Sequence, residues 1–153
     1  FVTCLEGVPV EDMIRDPDVT AQVSAVAAVP AVRDWVNSHL RELVSGGIDV
    51  VVDGRDIGTV VFPEAELKIF LTASPVTRAE RRIRQRGHDV EPRGLQRESD
   101  ALEARDRADS AREAAPLRMG EDAIALDGTG LTFQEQVERI VGLARERFGI
   151  THA

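Results

Sequence analysis

A chain of 153 residues, 42% of them hydrophobic, is long enough to bury a sizeable core in one domain and too short for two full ones. Its formal net charge of −8 and isoelectric point near 4.9 exclude general affinity for nucleic acid or anionic membrane, whose phosphates it would repel at long range. A single cysteine, Cys4, excludes an internal disulfide, and no Cys/His spacing resembles a zinc site.

The first residues, FVTCLEGVPVEDM, lack the charged start and apolar core of a signal peptide, and no run reaches membrane-spanning length, so a reducing cytoplasm is the natural home. The chain does not begin with Met, and truncation or processing is expected. Residues 1–15 hold a turn at Gly7-Val8-Pro9 and read as a small peripheral piece. Asp16-Pro17 has the form of a helix N-cap followed by Pro at the first helical position, and an Ala/Val-rich helix runs from there to about Val29. Pro30 restarts the chain. Val32, Trp35, Val36, Leu40, Leu43 and Val44 keep helical spacing through a second helix, which Gly46-Gly47 ends, and these positions are expected to be core.

Next comes the stretch on which the reading turns, residues 48–63, IDVVVDGRDIGTVVFP. An unbroken apolar run, 48–52, predicts a strand covered on both faces, as in a parallel sheet flanked by helices. Asp53, Arg55 and Asp56 then fall at its carboxyl end, where open α/β sheets bind ligands, although a polar loop capping a core strand would read the same way. A second strand is predicted at 67–73, with Ser74-Pro75 capping a helix to about Arg86. Residues 87–94 break the pattern before a charged helix from about Leu95 to Arg112, a mobile hairpin with few core residues. Ala123 to Leu126 is a third strand, and Thr132 to Glu135 is a capping box opening a last helix with Val137, Ile140, Val141, Ala144 and Phe148 on one face. The order is that of one α/β unit with right-handed crossovers.

Charge is unevenly spread. Residues 78–118 hold eleven of the nineteen basic side chains against nine acids, so this segment is +2 and the remainder −10. Every basic residue but Lys68 is Arg, which gives forked contacts to phosphate and carboxylate. Within the segment Arg105, Asp109 and Arg112 are spaced i, i+4, i+7, along a single helix face. From spacing alone the plainer reading is an ion-pair ladder on a solvated surface.

Three segments together resemble one family, the bacterial cytidylate kinases: GRDIGTVVFPEAELKIFLTAS at 54–74, RDRADSAREAAPL at 105–117, which fits R-D-x-x-D-S/N-x-R-x-x-x-P-L, and SAVAAVPAVR at 24–33. The resemblance implies an α/β fold, a three-layer P-loop kinase-type parallel sheet flanked by helices and truncated at its N-terminus, with a nucleoside-monophosphate-binding insert and a mobile lid. On that plan 1–47 is the insert and the helix after it, 48–86 core strands and helix, 87–104 the lid, and 105–153 core with the C-terminal strand and helix. It also implies transfer of the ATP γ-phosphoryl group to CMP or dCMP, with Mg²⁺ as cofactor, by a cytoplasmic monomer that engages no nucleic acid and no membrane.

Carried over position by position, Ser24, Arg33, Asp56 and Arg112 resemble the cytosine-reading set. Cytosine offers an amino donor beside O2 and N3 acceptors, which suits a carboxylate and arginines, whereas uracil would set a carbonyl against the carboxylate. Without the resemblance Ser24 reads as a surface hydroxyl and Arg33 as an exposed arginine beside Asp34. Asp109 resembles the acceptor of ribose hydroxyls, Arg105 reaches sugar or phosphate, and Arg55 resembles the α-phosphate clamp. Arg55, Asp53 and Arg105 form the expected catalytic group, with Asp53 read from its position as orienting Mg²⁺ through water; no side chain is expected to ligate a metal directly. His39, His88 and His152 are bystanders, and Arg81, Arg82, Arg84 and Arg86 are lid arginines or a solvated face.

Two expectations qualify this. No G-x-x-x-x-G-K-[ST] occurs in the sequence, so a chain of these residues alone is expected to form no CDP and to aggregate through the uncovered edge of 48–52; the alternative is a non-catalytic CMP-binding module. An Arg-rich helix binding RNA is disfavoured by the negative charge and the lack of Tyr. Replacing Asp109 by Ala is expected to weaken CMP binding with little change in melting temperature.

Overall fold

The computed structural model describes residues 2–14, 16–113 and 115–150, without the side chains of Pro17, Thr20, Ala21 and Ser24. The chain divides into two compact units, Phe1–Val50 and Val51–Ala153.

In the first unit a two-stranded antiparallel hairpin, β1 (Cys4–Leu5) with β2 (Val8–Pro9), turns through Glu6 and Gly7 at positive φ. A single helical turn, α1 (Glu11–Ile14), precedes α2 (Pro17–Ala27). Asp16 Oδ1 accepts from the Asp18 amide at 2.8 Å, so the Asp-Pro start acts as the cap its sequence predicts. Helix α3 (Pro30–Val44) begins on a proline and ends before Gly47, whose φ of +77 only glycine adopts cheaply. Its apolar stripe does not form the expected core. Trp35 is 62% and Leu43 68% exposed, Val36 is exposed too, and Asn37 is the buried residue of the helix. Periodicity marks an apolar face, but it does not supply a surface to cover it.

The second unit is built on a parallel pair, β3 (Ile69–Thr72) and β4 (Ile124–Asp127), in register from Ile69 opposite Ile124 to Thr72 opposite Asp127. Helices α4 (Pro75–Gln85), α5 (Pro92–Ala111) and α6 (Phe133–Phe148) flank it in sequence. Ser74 Oγ accepts from the Thr77 amide at 3.1 Å, and Thr132 and Glu135 form the reciprocal capping box, so both predicted helix starts hold. Helix α4 packs along α5, and Ala79, Ile83 and Leu102 are buried there, with Val61 and Leu126 the other buried apolar residues among those described. Residues 87–104 comprise a short break and the first part of α5. Across that break Arg82 and Arg86 both pair with Glu98, at 3.1 and 3.2 Å. Among the described residues no helix is long and apolar enough to cross a membrane.

The central strand expected at 48–52 is absent. The run lies outside any ladder, with Ile48 and Val50 exposed and Val51 100% exposed. A strand exists through hydrogen bonds to a neighbour, and among the described residues β3 pairs with β4 rather than with this run. The charged turn at 53–56 therefore does not sit at the end of a sheet strand. It leads instead into a π-helical turn, Ile57–Val61, wound on the Asp56 carbonyl, which accepts from the amides of Thr59, Val60 and Val61 at 3.3, 2.9 and 3.3 Å.

Candidate functional site

Asp109, near the C-terminus of α5, is 6% exposed, and three guanidinium groups surround it. Arg112 Nη2 lies 3.1 Å from Oδ1, Arg55 Nε 3.2 Å from Oδ2 and Arg105 Nε 4.0 Å from Oδ2. Helical spacing brings Arg105 and Arg112 to the carboxylate. Arg112 also donates from Nε to the Asp109 carbonyl at 3.4 Å, as the chain leaves the helix, and the Leu117 amide donates to the same carbonyl at 2.9 Å. Arg55 comes from the turn before the π-helical segment, more than fifty positions away in the chain. The i, i+4, i+7 trio is thus not a solvated ladder, because its carboxylate is buried and a fourth-party arginine completes it. Burial also overturns the expectation that Asp109 is dispensable for stability: a buried carboxylate held by arginines cannot be removed without leaving their charge less compensated.

Two further residues belong to this cluster that sequence reasoning did not single out. Asp106, one turn before Asp109, has Oδ2 2.6 Å from Arg78 Nη1 of α4, and its Oδ1 is 3.7 Å from Arg55 Nη1. The signal was present as the second residue of R-D-x-x-D, but one position along a helix points a side chain about 100° away, and nothing in the chain indicated that α4 would stand on that side. Four arginines and two aspartates give the cluster a net charge of +2, opposite to the charge of a nucleotide monophosphate near neutral pH.

Asp56 is buried, at 8% exposure, one residue beyond Arg55. Asp53 is exposed and lines a cavity of about 150 Å³ with Gly54, Arg55, Lys68 and Arg118. Gly54 is needed here in a specific sense: a Cβ would lie 2.7 Å from Ile57 Cγ1, so any side chain must displace the Ile57 side chain just beyond Arg55. Lys68 lines that cavity with its ammonium already engaged. It precedes β3, and its ammonium donates to the Pro63 carbonyl and pairs with Asp122 at 2.6 Å, which holds the Asp122 carboxyl below its ordinary pKa. Arg33, on α3, donates to the Ala27 carbonyl at 3.2 Å within the first unit. Ser24 lies on α2 with its side chain outside the described residues, and His152 is likewise outside them. Of the four arginines assigned to the lid, Arg81 reaches out of α4 to the carbonyls of Gly128 and Leu131 at 2.5 and 2.7 Å, tying the loop after β4 to the helix, while Arg82, Arg84 and Arg86 pair with glutamates. Among the described residues no cluster of three or more His, Cys, Asp or Glu could hold a metal ion.

Comparison with known proteins bears on this arrangement. A family model described as cytidylate kinase matches residues 2–146. Proteins named cytidylate kinase from Streptococcus pneumoniae strains Hungary19A-6, G54 and ATCC 700669 are each 49% identical to this chain over 137 residues, covering 88% of it and 60% of their own length. The chain spans 60% of the length of the curated relatives it matches.

Proposed function

The chain belongs to the cytidylate kinase family, and from that membership we propose that it is the acceptor-nucleotide and lid portion of a P-loop enzyme transferring the γ-phosphoryl group of ATP to CMP or dCMP, yielding ADP with CDP or dCDP. The observation that carries this reading is the buried Asp109 among Arg55, Arg105 and Arg112, an acceptor encircled by donors with a net positive surround. A pentose monophosphate presents the complementary groups: hydroxyls that donate to a carboxylate and an anion that accepts from arginines.

On this reading Asp109 accepts from the ribose hydroxyls and Arg55, whose side chain is 40% exposed, turns to the α-phosphate. Arg105 neutralises charge on sugar or phosphate. Asp56 accepts the cytosine amino group, with Arg112 contributing to recognition of the base. Phosphoryl transfer needs positioning and charge neutralisation more than a proton acceptor, which suits a site rich in arginine without a His or Ser in a nucleophile's role. Mg²⁺ is ordinarily held by one or two carboxylates and the substrate phosphates rather than by a protein cage, and the exposed Asp53 fits that part through bound water. When bound, the ion neutralises charge on the transferred phosphate. The enzyme is read as a cytoplasmic monomer.

The test is binding and turnover in the protein as the cell makes it. Calorimetry should show CMP and dCMP bound in preference to UMP, and ATP should be converted to ADP only when one of them is present. Binding of CMP without turnover would support a binding module instead, and no preference for CMP would overturn the site assignment.

A further inference from the structure

Asp106 Oδ1 is buried and, among the described residues, accepts no hydrogen bond, and Arg78 Nε beside it is buried with no partner either. Burial of a carboxylate oxygen without a donor costs stability, so its position calls for an explanation. The other half of the carboxylate is fixed, since Oδ2 is 2.6 Å from Arg78 Nη1 and Arg78 stands on the α4 helix that packs along α5. Arg55 Nη1 lies 3.7 Å from Oδ1, somewhat too far for a hydrogen bond. Arg55 is at present engaged through Nε by Asp109 at 3.2 Å.

We infer that Asp106 is a positioning residue, pinned by Arg78, that takes over Arg55 when a nucleotide's ribose claims Asp109. The inference rests on the proposed function, and adds to it two residues and an order of events. With Asp109 accepting from ribose hydroxyls, its hold on Arg55 weakens. A shift of less than 1 Å then brings Nη1 to the unpartnered Oδ1, within the ordinary hydrogen-bond range of about 2.7–3.2 Å. One edge of the guanidinium is thereby fixed to protein while the remaining N–H groups stay free for the phosphate, the planar fork allowing both at once. Arg78 supplies rigidity: without it Asp106 would swing with Arg55 rather than anchor it.

A double-mutant cycle on CMP affinity tests this in the protein as the cell makes it. Asp106→Asn keeps shape and an acceptor but removes the charge, and should weaken CMP binding about tenfold, the size of a charge-assisted hydrogen bond. In an Arg55→Ala background the same substitution should change CMP affinity less than twofold, because the residue through which it acts is gone. Cytidine, which lacks the phosphate, should compete equally with parent and Asp106→Asn. Arg78→Lys, which retains charge but not the fork, should show the same pattern more weakly. Equal losses of CMP affinity in both backgrounds, equal losses for CMP and cytidine, or no loss at all would each overturn the inference while leaving the functional reading in place. A parent protein that does not bind CMP would remove both.

Discussion

Replacing Asp109 by Ala separates a site buried for function from a surface ladder. Breaking a buried ion pair by removing one partner costs about 3–5 kcal/mol where the remaining charge stays buried. Here the arginines left behind are partly exposed, with side-chain exposures of 40% for Arg55, 42% for Arg105 and 20% for Arg112, so water can reach them and the expected loss falls to about 2 kcal/mol. For a protein of this size that corresponds to a melting temperature lower by about 4–8 °C. The effect on ligand is separate. Losing a charged acceptor for a ribose hydroxyl should weaken CMP by roughly 10- to 100-fold, and dCMP by less, since it lacks one of the hydroxyls. Scanning calorimetry gives the first quantity and isothermal titration with both nucleotides the second. An unchanged melting temperature would refute the burial argument, and equal losses for CMP and dCMP would refute the ribose contact at the 2′ position.

Asp56→Ala should narrow the preference for CMP over UMP in kcat/KM, because the carboxylate meets an amino group in one base and a carbonyl in the other; an unchanged ratio would mean that Asp56 does not read the base. Gly54→Ala should lower CMP affinity by severalfold through displacement of Ile57, and an unaffected Arg55-dependent affinity would show that the turn tolerates the methyl group. Glu135 is held below its ordinary carboxyl pKa of 4.5, first by the Thr132 amide and then by its hydroxyl. Because the folded value is the lower one, this contributes stability above pH 4.5 that disappears as pH falls through the folded value. Thr132→Val, which removes only the hydroxyl, should therefore reduce melting temperature at pH 6 and have progressively less effect below pH 4.5, and a pH-independent effect would contradict the linkage.

Legibility in the sequence followed the range of the forces involved. Caps are local, and Asp16, Ser74 and the Thr132/Glu135 box lie where their sequence places them. Strands β3 and β4 were legible as apolar runs, within one or two residues at their ends. The run at 48–52 has the same composition and no ladder, since a strand is a property of two segments and one sequence window describes only one. For the same reason Trp35 and Leu43 could be assigned to an apolar face but not to a core. At the site, Arg105, Asp109 and Arg112 were visible by spacing, and Arg55 by its charged neighbours. Asp106 and Arg78 were not, because their meeting depends on how α4 packs along α5.

That packing also sets an order of assembly. Arg78, Arg105, Asp106 and Asp109 all stand on the α4–α5 hairpin, closed by a break of only a few residues, whereas β3 must find β4 across about fifty residues of chain, at an entropic cost higher by about 2 kcal/mol. Helical neighbours zip before distant strands pair. During refolding the charged half of the arginine–aspartate cradle therefore condenses first, as a local hairpin, and Arg55 is recruited to it last. Pulse-labelling hydrogen exchange should find the amides of Ala79, Ile83 and Leu102 protected before those of Ile124 and Leu126, and simultaneous protection would show that sheet and cradle form in one step.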